Sequence, residues 1–364
     1  MRPARRSRWS ALIPLVLIGA DAPAPKHPAP KRCVCHRAEG PVAVDGRLDE
    51  AAWGRAAWTD AFVDIEGAAR PLPRFATRAK MLWDDRYFYV AAELEELDVW
   101  GTLTDHDAVI FQDNDFEVFI DPDGDNHEYY EFEINALNTG WDLLLRKPYR
   151  DGGPAENAWE IPGLKTAVAV RGTLNRPGDR DEGWTVELAF PWAALAPLAH
   201  TPCPPAEGDS WRVNFSRVEW RHLVVDGRYE KVPKAKEDNW VWSPQGVVDM
   251  HRPERWGYVQ FTRGEPGRVP TVPDPTGPAR DRLHEVYYAQ KAYRERTKRW
   301  ASSLAELGIA ATPTPSPTIR PAADGYEATT TVMTGPGETR EIAIGADSRI
   351  RLGPVRPARS IDVR

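Results

Sequence analysis

Residues 112–135 read QDNDFEVFIDPDGDNHEYYEFEIN, and the alternation inside this stretch decides the fold. Phe116, Val118 and Ile120 alternate with Glu117 and Phe119; Tyr130, Phe132 and Ile134 then alternate with Glu131, Glu133 and Asn135. A period of two puts each set on one face of a strand, so the stretch predicts two half-buried strands joined as a hairpin. The connecting DPDGDN is turn chemistry, because Gly124 tolerates a positive φ and Asp and Asn side chains bond their own backbone. The same loop is rich in hard oxygen ligands. Asp121, Asp123 and Asp125 lie two apart, so a looping backbone can aim three carboxylates at one calcium ion. The match to an EF-hand loop is partial, since no Glu stands at its twelfth position and the flanks are strands. The alternative reading is an acidic, solvated turn.

Outward from this hairpin the pattern repeats. Residues 76–83 (ATRAKMLW) alternate, Asp84 and Asp85 turn the chain, and residues 87–94 (YFYVAAEL) return. Further short runs at 140–145, 165–171, 184–190, 211–219 and 256–261 are bounded by Gly, Pro, Asp or Asn. Short strands without long helices between them predict an all-β fold, an antiparallel β-sandwich of the jelly-roll or immunoglobulin-like kind. Before it, residues 41–53 (PVAVDGRLDEAAW) predict a strand, a turn and a short helix capped by Asp49.

The flanks differ in character. Residues 1–22 carry Arg2, Arg5, Arg6 and Arg8, then an apolar run and an A-x-A site, the pattern of a signal peptide for secretion or export to the periplasm. That apolar run is too short to span a bilayer. Residues 23–36 read as a Pro-rich linker, and residues 37–263 as the sandwich. Residues 264–280 form a Pro/Gly linker, residues 281–308 an amphipathic helix, and residues 309–364 a second linker with a small β tail. Cys33, Cys35 and Cys203 give an odd count of three, which closes no disulfide framework. A formal charge of −7 without a basic stripe argues against nucleic acid as a partner.

The order VDGRLDEAAW, AKMLWDDRYFYVAAEL, NDFEVFIDPDGDNHEYYEFEIN, GWTVELAFPWAAL, WRVNFSRVEW and RWGYVQF resembles the family-9 carbohydrate-binding modules over about residues 42–262. The resemblance implies a β-sandwich of the DOMON-like kind, often with bound calcium, attached to secreted systems that degrade polysaccharides. It also implies a sugar held between two aromatic side chains. Phe111 and Met250 stand at those two places, and Glu117 matches a polar sugar contact, with Asn135 on the next strand available to the same network. Phe111 can stack on a pyranose face, whereas Met250 offers a flexible thioether. Trp240 and Trp242, two apart in NWVWSP, form a competing aromatic platform if they are extended on a loop, and Trp100 and Trp141 can add rings.

Carboxylates at Glu117, Glu131, Glu133 and Glu187 keep a glycosidase in view, because that chemistry needs only two at a suitable separation. None of the sequence signatures of serine hydrolases, zinc proteases, P-loop enzymes or dinucleotide enzymes occurs. The expectation is therefore a secreted carbohydrate-binding protein steadied by calcium and supporting polysaccharide degradation. The alternatives are a glycoside hydrolase, accessory or catalytic, and a non-sugar adhesion or assembly module.

Overall fold

The computed structural model describes residues 28–311 and 316–358, so the signal-peptide segment lies outside the described residues. The strands of the sandwich are β1 (Arg32–Arg37), β2 (Val63–Asp64), β3 (Thr77–Trp83), β4 (Tyr87–Glu95), β5 (Asp115–Asp121), β6 (Tyr129–Asn135), β7 (Gly140–Leu145) and β8 (Ala155–Glu156). They continue as β9 (Lys165–Arg171), β10 (Gly183–Pro191), β11 (Ser210–Glu219), β12 (His222–Val225), β13 (Arg228–Lys231), β14 (Asp238–Val241) and β15 (Gly257–Thr262). Two short helices, α1 (Ala51–Arg55) and α2 (Trp192–Ala199), close its ends. The chain then forms α3 (Gly277–Thr297) and strands β16 (Thr318–Pro321), β17 (Tyr326–Gly335), β18 (Glu338–Gly345) and β19 (Ile350–Pro357).

One layer of the sandwich runs β8-β7-β6-β5-β11-β15 and the other β3-β4-β10-β9. Strand β1 joins them, pairing parallel with β15 at Arg32↔Tyr258 and with β3 at His36↔Leu82. The sandwich is antiparallel as expected, apart from the parallel pairing of β1. One expectation is corrected: residues 32–36 are a strand, not the end of a linker. The reason lies in RCVCHR, whose period of two turns Cys33 and Cys35 toward the core, where a thiol packs as a small apolar group. All three cysteines are free, and burial pushes the Cys33 thiol up to about 11.

The hairpin β5–β6 forms with Glu117 opposite Glu133 and Phe119 opposite Glu131. Its apolar set, Phe116, Val118, Ile120, Tyr130, Phe132 and Ile134, packs between the layers against Trp184, Trp211, Phe215 and Phe261. Every residue of both strands is buried, not half of them. The second face is roofed by the segments before β5 and before β15, which lay Leu103, Ala108, Ile110, Met250 and Trp256 over Phe119, Tyr129, Leu143 and Leu145. Asp49 does not cap α1, whose N-cap residue is Glu50; the Glu50 side chain makes no capping bond and instead accepts the Ala43 N–H at 3.0 Å.

The C-terminal helix starts four residues earlier than expected, with Pro278 in its first turn, where a missing N–H costs nothing. It stops at Thr297, with Lys298 in the left-handed conformation, and residues 298–308 turn. Its apolar face packs on the antiparallel sheet β16-β17-β18-β19 through Leu283, Val286, Tyr287, Ala328, Ile342 and Ile344, forming a second core.

Candidate functional site

The second face of the hairpin carries an acidic row. Register places Glu117 beside Glu133 on β6 and beside Ser216 on β11, while Trp141 of β7 stands on the far side of Glu133. The roof over this row is open at one place, which leaves a cavity of about 410 Å³. Glu117, Glu131 and Glu133 lie along its lining, together with Phe111, Trp141, Tyr149, Met250 and His251. An apolar and aromatic wall over a polar floor is the usual composition of a small-molecule site.

Backbone bonds hold the walls. Phe111 donates its N–H to Glu133 Oε2 at 2.9 Å and accepts Trp220 Nε1–H at 2.8 Å, so both sides of its peptide are fixed. Its ring lies 6.3 Å from that of Trp141, tilted by 30°. Tyr149, 47% exposed and thus free to meet a ligand, packs edge-on to His251 at 4.4 Å. Burial lowers His251 to about 4, so the imidazole is neutral near pH 7 and brings no positive charge to the acidic row.

The floor is electrostatically unusual. Burial pushes Glu117 up to about 7, with the neighbouring Ser216 hydroxyl pulling the other way. Burial, and then the charge of Glu117, raises Glu131 and Glu133 well above the ordinary carboxylate range. Asp115 sits deeper at 0% exposure; it accepts the Val218 N–H at 2.9 Å through Oδ1, while its Oδ2 has no partner. Glu131 Oε2 is likewise buried without one. Among the described residues, every ion pair within 4.0 Å leaves these four carboxylates out.

Of the residues singled out by sequence, Phe111 and Glu117 come together in this pocket, with Met250 across from them. Asn135 does not join them. It is fully buried, donates to Leu103 O and Asp113 Oδ2, and accepts the N–H groups of Leu137 and Thr139, so it closes the β6–β7 turn. Trp240 and Trp242 are corrected as well. They are 3% and 1% exposed core residues with no face free to stack on a sugar. The NWVWSP segment is extended as expected, but β14 pairs with β11 and turns both rings inward, Trp242 onto Phe215 at 5.7 Å. Glu187 is also structural, taking Trp53 Nε1–H at 2.6 Å and the Asp45 and Gly46 N–H groups.

The ligand atoms of Asp121, Asp123 and Asp125 do converge, within 4.8 Å of one another. In this structure they already serve the turn. Asp121 accepts the Gly124 and Asn126 N–H groups at 2.9 Å each, Asp123 the Asp125 N–H at 3.2 Å, and Asp125 the His127 N–H at 2.8 Å. The loop is not a solvated turn, because the C-terminal unit docks on it. Arg349 Nε meets Asp125 Oδ2 at 2.7 Å, Arg280 Nη1 meets Gly124 O at 2.6 Å, and Asn126 Nδ2 meets Ser348 O at 2.8 Å.

Sequence reasoning assigned Trp141 only an accessory place and missed Tyr149 and His251 altogether. Glu131 and Glu133 were legible as polar members of the β6 alternation, but their place under a roof was not, because part of the roof, Met250 and Trp256, comes from residues more than a hundred positions away.

Comparison with known proteins gives the same direction. Residues 44–207 match the family described as carbohydrate family 9 binding domain-like. The exoglucanase XynX of Acetivibrio thermocellus is 26% identical over 165 residues, 44% of this chain and 12% of that protein. The endo-1,4-beta-xylanase A of Thermoanaerobacterium saccharolyticum is 26% identical over 118 residues, 32% of this chain and 8% of that protein. The chain thus spans only a small fraction of either enzyme. Among solved structures, a family 9 carbohydrate-binding module from Caldicellulosiruptor kristjanssonii in complex with cellotriose is 17% identical with a TM-score of 0.43, covering 67% of this chain and 100% of the module. The same organism's family 9 module in complex with glucose is 16% identical, also at 0.43, over 66% of this chain and 100% of the module. The acidic floor, Phe111 and Trp141 all lie within the stretch that matches the carbohydrate family 9 binding domain-like family.

Proposed function

We propose that the pocket between Phe111, Trp141 and Met250 binds a saccharide ring, and that the protein is an exported sugar-recognition factor supporting polysaccharide degradation. One observation carries this reading: the stretch that matches a carbohydrate-binding family presents a cavity whose walls are aromatic and whose floor is carboxylate. Stacking on Phe111 removes the apolar face of a pyranose from water, while Glu117 accepts hydrogen bonds from its hydroxyls. The relatives' names, an exoglucanase and a xylanase, support a plant-type β-glycan as the first ligand to test.

Calcium at Asp121, Asp123 and Asp125 belongs to the same proposal, supported by the convergence of their ligand atoms. A cation there would take carboxylate oxygens from the turn and from Arg349. A glycan array followed by titration of the strongest hit against the parent, Phe111→Ala and Trp240→Phe proteins tests the site. Binding lost in Phe111→Ala and kept in Trp240→Phe is expected. Turnover of a chromogenic glycoside would instead favour the hydrolase reading.

A further inference from the structure

Three carboxylates, Glu117, Glu131 and Glu133, line the pocket floor with Asp115 behind them, and among the described residues no basic group pairs with any of the four. The nearest oxygens of Asp115, Glu117 and Glu133 lie within 4.8 Å of one another, and all three residues are buried, at 0%, 5% and 2% exposure. A second observation is independent of this clustering. Asp115 Oδ2 and Glu131 Oε2 are buried without any hydrogen-bond partner, and Glu131, 4% exposed, lines the cavity. An orphaned buried carboxylate oxygen is costly, and a fold that keeps two of them beside two further carboxylates has left out whatever completes the set.

The flanking groups supply no such completion. His251 is driven to its neutral form, and the backbone N–H groups of Phe111 and Val218 satisfy only one oxygen each, on Glu133 and Asp115. The two other clusters of possible metal ligands differ in this respect. His106 Nε2 stands 3.1 Å from Glu160 and within 4.0 Å of Asp107 and Asp142, and Arg349 stands on Asp125. Each of those clusters thus has a basic side chain of this chain against it.

We infer that Asp115, Glu117 and Glu133, with Glu131 beside them, form a site for one hard divalent cation of the calcium class at the floor of the pocket. Oxygens about 2.3–2.6 Å from a central Ca²⁺ are at most roughly twice that distance apart, which the observed convergence satisfies. A divalent ion offsets two carboxylate charges, where a protonated amine offsets one. Because Glu117, Glu131 and Glu133 face the cavity, the ion meets the same space as the sugar and can take hydroxyl oxygens as its remaining ligands. The inference thus deepens the saccharide reading of this pocket, but metal binding is measured without any sugar, so either can fail alone.

The test uses the whole chain carrying Asp123→Ala, which removes the loop cluster from the readout. Calcium is titrated into the chelator-treated protein by calorimetry and by melting temperature, alone and with Glu133→Gln added. Gln keeps the carbonyl that accepts the Phe111 N–H, and it removes a negative charge from a repelling group, so the metal-free variant should melt no lower than its parent. The expected result is a saturable calcium heat and a rise in melting temperature for Asp123→Ala, with affinity at least about tenfold weaker once Glu133→Gln is added, since calcium affinity follows ligand charge. No calcium response in Asp123→Ala, or an equal response with Glu133→Gln present, overturns the inference. So does stabilisation by glucosamine where calcium gives none, which would assign the floor to an organic cation.

Discussion

Two groups of buried carboxylates lie on opposite faces of the same sheet, and they are resolved in opposite ways. On the core face, Glu96 and Glu219 flank Arg217, whose Nη2 is 3.4 Å from the first and 2.8 Å from the second. Asn114 Nδ2, at 2.5 Å, and Trp184 Nε1, at 2.8 Å, complete Glu96, and Arg217 Nη1 reaches Thr77 Oγ1 and Glu95 O. One residue along β5 and β11 the side chains point to the other face, where Asp115, Glu117, Glu131 and Glu133 meet no base. Burial alone therefore does not distinguish the two groups. The difference is the presence of a counter-charge: the core group is completed by the chain and serves the fold, while the pocket group is completed only by something that arrives.

The largest expected effect comes from breaking the completed group. Arg217→Met leaves two buried carboxylates without the guanidinium between them, and urea unfolding should show a loss of about 3–5 kcal/mol. The pocket group should behave in the opposite sense. Glu117→Gln removes one of several repelling charges, so the protein free of metal and sugar should be as stable as the parent or more so, although sugar affinity falls by about 1–2 kcal/mol, the excess of a charged over a neutral hydrogen bond.

The pH dependence isolates the contribution of Glu117. A carboxyl held at about 7 in the folded protein, against 4.5 when unfolded, contributes stability that is complete below 4.5 and is lost as pH rises through about 7. Glu187, also raised to about 7, and Glu96, raised to about 8, add to this slope in both proteins. Parent and Glu117→Gln chains melted side by side from pH 4.5 to 8 should therefore diverge, the parent losing more stability toward pH 8. Parallel curves would mean that Glu117 carries its charge in the folded state at no penalty.

What the sequence made legible follows from the same two faces. The alternation of Phe116, Val118 and Ile120 with Glu117 gave the hairpin and its core face, because a period of two is a local property. The fate of the other face was not local. Whether Glu117 and Glu133 meet water or a roof depends on Met250 and Trp256, brought over them by a chain reversal more than a hundred residues later. Trp240 and Trp242 failed for the same reason, since an extended NWVWSP has two faces and only pairing with β11 decides which is inside. Strand β1 was obscured by the Pro-rich composition of the residues before it, and the docking of the C-terminal unit on DPDGDN left no local sign at all.

A smaller effect separates the loop from the pocket. If calcium binds Asp121, Asp123 and Asp125 only in the folded chain, saturating ion should raise the melting temperature through that site by mass action. Asp123→Ala should then lower the calcium response while leaving sugar affinity unchanged, and an unaltered response would remove the loop as a calcium site.

Calorimetric titration of the strongest glycan-array ligand into the parent, Phe111→Ala and Trp240→Phe proteins tests the central claim most directly. The account predicts binding in the parent, loss in Phe111→Ala with the fold retained, and unchanged affinity in Trp240→Phe, because Trp240 lies in the core and lines no part of the pocket. Equal affinity in the parent and Phe111→Ala proteins would contradict it and place the sugar elsewhere on the molecule.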